Sequence, residues 1–143
     1  MTNPLFINEL PPFLQEAWKK EGFQAATNIQ EQAFTPIING DDLIAESPTG
    51  TGKTLAYLLP LLAKIQVDSL HLQVVIMASS HELVMQIHQE IIKWSAGSGI
   101  RSASFIGGAN IKRQLEKLKK KPHIAVGTPG KILELVSQKK MKM

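Results

Sequence analysis

The sequence predicts an α/β fold built on a doubly wound parallel sheet, and three observations predict it. Four largely apolar segments of strand length, Asp42–Ala45, Gln73–Ala78, Ser102–Ile106 and Ile124–Val126, alternate with helical patterns, as strands covered on both faces do. A Gly-rich loop, Ser47-Pro48-Thr49-Gly50-Thr51-Gly52-Lys53-Thr54, joins the first of them to an apolar helix. Each later cluster of small and polar residues (Ser79-Ser80, Gly107-Gly108, Thr128-Pro129-Gly130) follows a strand's carboxyl end, where open α/β sheets bind ligands.

Residues Leu5 to Leu10 read as irregular, punctuated by Pro4, Pro11 and Pro12. From Pro12, the apolar positions Phe13, Leu14, Ala17 and Trp18 recur at helical spacing, and Gly22 ends that helix. Trp18 is expected in the core. A second helix opens at Thr27 and runs to Asn39-Gly40. Thr27 followed by Gln30 fits a capping box, in which each side chain serves the other's backbone amide. Gln30 also offers a carbonyl and an amide that together can read the N6 donor and N7 acceptor of adenine. Sequence physics leaves both readings of Gln30 open.

Asp42 to Ala45 reads as a short buried strand. In the loop after it, glycines let successive amide N–H groups point at phosphate oxygens, and the helix N-terminus adds partial positive charge. Lys53 would reach the outer phosphates, and the Thr54 hydroxyl would hold Mg²⁺. The strict pattern has Gly where Ser47 stands. The following helix, apolar from Leu55 to Ile65, should be buried on most faces and bend at Pro60.

After the second strand, Ser79 and Glu82 suggest another capping box, with Leu83, Val84, Ile87, Ile91 and Trp94 as the apolar stripe. His81 and His88 lie seven apart, which suits surface histidines better than metal ligands. Gly107-Gly108 closes the third strand and allows close approach of a ligand or backbone. Ile111, Leu115 and Leu118 mark a basic amphipathic helix. After the fourth strand, Thr128 as N-cap and Pro129 at the first position open the last helix.

Composition bounds the rest. The chain has no cysteine, which excludes disulfides and thiolate zinc sites and suits a reducing cytoplasm. Its start has no basic n-region, and its longest apolar run, Leu55 to Ala63, is too short to span a bilayer, so no membrane partner is expected. Through residue 109 there are six Lys/Arg and ten Asp/Glu, and from residue 110 onward ten and two. That basic segment suits a nucleic-acid partner, or simply a solvated helix face carrying Lys117, Lys119, Lys120 and Lys121.

Gly22-Phe23 with Thr27-x-Ile29-Gln30, the Gly-Thr-Gly-Lys-Thr loop, Glu82-Leu83, Gly107-Gly108 and Thr128-Pro129-Gly130, in this order, resemble the N-terminal RecA-like P-loop domain of DEAD-box RNA helicases. Five separated motifs agree, from about Phe6 to Leu135. The resemblance implies an ATP-dependent RNA helicase that uses ATP and Mg²⁺ and binds RNA through its backbone as a cytoplasmic monomer. The adenine (Q-motif) region would span about residues 4–32, with Phe6 stacking on the base and Phe23, Thr27 and Gln30 around it. Ser47 through Thr54 would hold the nucleotide, Lys53 and Thr54 being catalytic. Ser80, Glu82, Gly107, Gly108, Thr128, Pro129, Gly130 and Lys131 would lie along the RNA groove.

Three departures from the family pattern bear on affinity. Ala26 and Asn28 stand where proline is common, Ser79-Ser80-His81 replaces Pro-Thr-Arg, and Lys131 replaces Arg, keeping charge but losing the planar fork. After Asp68 there is no aspartate, so the Asp-Glu-Ala-Asp motif and the C-terminal RecA-like domain would follow beyond residue 143. The sheet is therefore expected to be incomplete and the chain alone inactive. A small-molecule kinase or GTPase would not need the Thr27–Gln30 element, and no Asn-Lys-x-Asp guanine motif is present. A non-enzymatic nucleotide- or RNA-binding scaffold is the remaining alternative.

Overall fold

The computed structural model describes residues 5–23, 25–48, 52–107 and 111–142. Contacts divide the chain into two units, Met1–Ile65 and Gln66–Met143. Thr49, Gly50, Thr51 and Gly108, like residues 1–4 and Gln24 of the adenine region, lie outside the described residues.

The first unit is helical. A 3-10 helix at Leu5–Glu9 stands where an irregular segment was expected, and its Phe6 and Ile7 are buried. Helix α1, Pro12–Glu21, begins with Pro at its first position, where the missing N–H costs nothing, and ends at Gly22 with φ 72°. Helix α2, Asn28–Ile38, packs against α3, Lys53–Lys64. Both helices carry an interior proline, Pro36 in α2 and Pro60 in α3. The core is partly aromatic: Phe6 stacks on Phe34 at 4.9 Å between ring centroids and meets Trp18 edge-on at 6.2 Å. Leu14, Leu58, Leu59 and Leu62 complete it.

The strand expected at Asp42–Ala45 does not form. The residues join no ladder among the described strands, and Leu43 and Ile44 are 44% and 95% exposed. An apolar run becomes a strand only when a neighbour takes its backbone hydrogen bonds, and no described strand bonds to this one.

The second unit holds the sheet. Strands β1 (Val74–Met77), β2 (Ser102–Phe105) and β3 (Ile124–Gly127) are all parallel in the order β1-β3-β2. Helix α4 (His81–Trp94) buries Val84, Ile87, Ile91 and Trp94, whereas Leu83 remains 41% exposed. Helix α5 spans Ile111–Lys119 and α6 spans Pro129–Ser137. Ala103, Phe105, Ala125, Ile132, Leu135 and Met141 pack together beneath α6.

Fully buried His123 braces the sheet's entry. Its Nδ1 accepts the Arg101 N–H at 2.9 Å, and its Nε2 faces the carbonyls of Val67 and Ser69 at 3.0 and 3.1 Å. That arrangement places the ring proton on Nε2. No helix among the described residues is long and apolar enough to cross a membrane.

Candidate functional site

In the first unit the site is assembled around Gln30. Thr27 caps α2 in extended conformation, and the capping box forms in full. The Gln30 N–H donates to Thr27 Oγ1 at 3.4 Å, and the Thr27 N–H donates to Gln30 Oε1 at 3.0 Å. A cap of this kind contributes about 1 kcal/mol to its helix. The Gln30 amide does more than cap, because its Nε2 donates to the carbonyl of Gly52 at 3.3 Å. One buried side chain thus ties the start of α2 to the start of α3. Among the described residues, one carbonyl lone pair and one N–H of Gln30 have no other partner, and these are the two groups adenine would require.

Gly52 sits where only glycine fits. It is the N-cap of α3 with φ 82° and ψ 29°, and a Cβ there would stand 2.5 Å from Gln30 Nε2. The chain can enter the helix from the loop and still touch Gln30 because that position carries no side chain.

Two concavities meet along Glu46, Ser47 and Pro48. One, of about 580 Å³, is lined by these with Ala45 and Lys53, and Lys53 is exposed at the head of α3. The other, of about 520 Å³, is lined by Thr27, Asn28, Ile29 and Gln32 at the start of α2, while Gln30 is not on its lining. An anion in the first would face a helix N-terminus and an ammonium. Burial pushes the Tyr57 hydroxyl up, and the neighbouring Thr54 side chain partly offsets that.

The aromatic candidates are placed less simply. Phe6 is 7% exposed, stacked on Phe34, and lines a separate cavity of about 360 Å³ with Glu31 and Thr35, apart from Thr27. Phe23 is 41% exposed and meets Trp18 edge-on at 5.0 Å.

In the second unit the parallel register brings the other candidates to one edge. Met77 and Phe105 are both level with Gly127, so Ser80, Gly107 and Thr128 all follow strand ends at the same side of the sheet. A Cβ on Gly107 would lie 3.9 Å from His81 Nε2. The cap of α4 is Ser80 rather than Ser79, its hydroxyl accepting the Leu83 N–H at 3.1 Å, so the box proposed with Glu82 is shifted out of register. Glu82 is exposed and accepts from Gln86 Nε2 at 3.5 Å.

Thr128 is the N-cap of α6, but its hydroxyl makes no capping bond. The first-turn amides of Gly130 and Lys131 are therefore left unclaimed by their own cap. Lys131 is the candidate this arrangement presents least: it is 7% exposed, with its ammonium 3.4 Å from the Glu134 carboxylate.

Two residues escaped the sequence reading. Gly127 ends β3 with a Cβ position 2.6 Å from the Phe105 carbonyl oxygen and 2.8 Å from Ile132 Cδ1, so it sets how closely α6 approaches the sheet. A glycine at a strand end is the signal that marks it. His88 is not a surface histidine. It is half-buried, and burial lowers its pKa, with the Ser102 backbone bond opposing and Lys117 adding to the fall.

Comparison with known proteins shows what the chain is similar to. A family model described as DEAD/DEAH box helicase matches residues 27–143. The chain is 61% identical over 137 residues to the DEAD-box ATP-dependent RNA helicase CshC of Bacillus cereus, covering 96% of this chain and 35% of that protein. It is 59% identical to the probable ATP-dependent RNA helicase YfmL of Bacillus subtilis, covering 96% and 37%. It therefore spans about a third of the length of these relatives.

Among solved structures, a DEAD box protein from the hyperthermophile Methanococcus jannaschii superposes with a TM-score of 0.87 at 28% identity, over 93% of this chain and 36% of that one. A hypothetical ATP-dependent RNA helicase from Sulfolobus tokodaii gives 0.81 at 25%, over 92% and 38%.

Proposed function

Since this chain belongs to the DEAD/DEAH box helicase family, we propose that it is the nucleotide-binding part of an ATP-dependent RNA helicase, acting in the cytoplasm with a second RecA-like domain on the same polypeptide. The observation that carries this is the hydrogen bond from Gln30 to Gly52, which joins an adenine-reading side chain to the phosphate loop. Gln30 takes the adenine edge, Phe23 and Thr27 border it, and Ser47, Pro48 and Gly52 shape the loop. Lys53 would meet the outer phosphates, and the Thr54 hydroxyl would hold Mg²⁺. The nucleotide supplies the free energy of binding and hydrolysis; these residues bind and orient it.

A competition titration of ATP against GTP with Mg²⁺, on this chain and on Gln30→Ala, tests the proposal. A preference for ATP of about tenfold, or roughly 1.4 kcal/mol, is expected in the wild type and should vanish in the variant. A preference that survives would return Gln30 to a plain helix cap.

RNA is proposed to lie along the strand ends of the second unit, where Ser80, Gly107, Thr128 and the first turn of α6 present hydroxyls and amides to phosphates rather than bases. Affinity should then fall steeply with salt. RNA should not start ATP turnover in this chain, because after Asp68 it has no aspartate to hold Mg²⁺ and orient water. A flat salt response would count against the phosphate contacts, and RNA-stimulated hydrolysis against the missing acid.

A further inference from the structure

The second unit carries a cavity that nucleotide and RNA binding leave unused. Its volume is about 680 Å³, a size that suits a side chain or small ligand. Helix α4, the turn after it, β2 and α5 enclose it, and Met85, Ile92, Ile100 and Ala103 form an aliphatic bed. Met85 and Ile92 are 38% and 48% exposed, so apolar surface faces solvent there. The charged lining is wholly cationic: Arg101, Lys117 and Lys120 border it, with no Asp or Glu.

Two buried nitrogens on this lining, His88 Nε2 and Arg101 Nη2, have no hydrogen-bond partner among the described residues. A buried polar group left unpaired is costly, and its presence beside a cavity marks where a partner's polar atom would sit, an acceptor oxygen in the case of Arg101 Nη2. Arg101 is otherwise anchored, its Nε donating to the carbonyls of Lys120 and Lys121 at 3.1 and 2.9 Å. The guanidinium is thus held in place before anything binds.

The neighbouring backbone narrows what the occupant can be. β2 is an edge strand, and exposed edges usually recruit partners by adding a strand. Here Lys117 Nζ donates to the Ser104 carbonyl at 2.6 Å. With that carbonyl taken, the edge offers fewer groups for strand pairing, and the side chains of the cavity are what would hold an occupant. No Phe, Tyr or Trp lines the cavity, so a nucleic acid would find no ring to stack a base on, and phosphates gain nothing from an aliphatic bed.

We propose that this cavity docks an acidic peptide segment, with an aliphatic side chain on Met85 and Ile92 and a carboxylate on Arg101 Nη2. A carboxylate accepts from a guanidinium N–H in a charge-assisted hydrogen bond.

The test is fluorescence anisotropy on the full chain with a labelled peptide of Glu-Leu-Gly repeats, its Lys-Leu-Gly counterpart, and unlabelled oligouridylate as competitor. Saturable binding of the acidic peptide alone is expected, undisturbed by the RNA. Ile92→Glu and Lys120→Glu should each weaken it by about tenfold or more. Both positions are exposed, so either variant alone suffices if the other fails to fold. Absence of saturable binding, equal binding of the basic peptide, unchanged affinity in the folded variants, or displacement by RNA would each overturn the proposal.

Discussion

Lys53→Ala is expected to weaken ATP binding about 100-fold or more, roughly 2.7 kcal/mol, the scale of one lost charge-assisted hydrogen bond to a buried anion. Lys53 is exposed at the first position of α3 and lines the cavity beside Ser47. Its removal therefore deletes a contact to the ligand and almost none to the protein, and surface changes of that kind alter stability by about 0.5 kcal/mol or less. Titration with a fluorescent ATP analogue, paired with a thermal melt of the apo protein, separates the two effects. An unchanged affinity would remove Lys53 from the phosphate site and with it the assignment of the loop.

Gly127→Ala is expected to destabilise the second unit by about 3 kcal/mol, at the upper end for an overpacked core. The added methyl would meet a backbone carbonyl, that of Phe105 at 2.6 Å, which cannot rotate away as a side chain could. Ile132, the other neighbour, is itself buried against the sheet. Each unit contains one tryptophan, Trp18 in the first and Trp94 in the second. Fluorotryptophan labels followed by NMR in urea therefore report on the two separately, and the Trp94 midpoint should fall. Gly130→Ala is the matched control, since its Cβ would meet nothing within 4 Å and alanine favours a helix. Equal midpoints for the two variants would mean that α6 does not approach β3 as closely as the structure has it.

What the sequence made legible was local. The capping box at Thr27 and Gln30 and the αL stop at Gly22 depend on residues a few positions apart, and both appear. The strand expected at Asp42–Ala45 depends on a partner elsewhere, which no run of apolar residues can supply. The cap of α4 moved from Ser79 to Ser80 because β1 holds the chain one residue further, with the Ala78 N–H donating to the Gly127 carbonyl at 3.1 Å. His88 could have been read correctly: it lies four residues after Val84 and three before Ile91, on the buried stripe of its helix. At the site, the separate roles of Gln30 and Gly52 were legible, but the bond between residues 22 apart was not.

That bond has a thermodynamic consequence. If recognising the base pulls on the Gln30 amide, the pull is felt at Gly52, the N-cap of α3, so the proposed base and phosphate subsites would share one coupling free energy. Coupling is reciprocal: whatever factor a correct base adds to phosphate affinity, a bound phosphate adds to base affinity. A nucleotide with the wrong base would then be penalised twice, once at the edge it fails to match and again in a loop left without its brace.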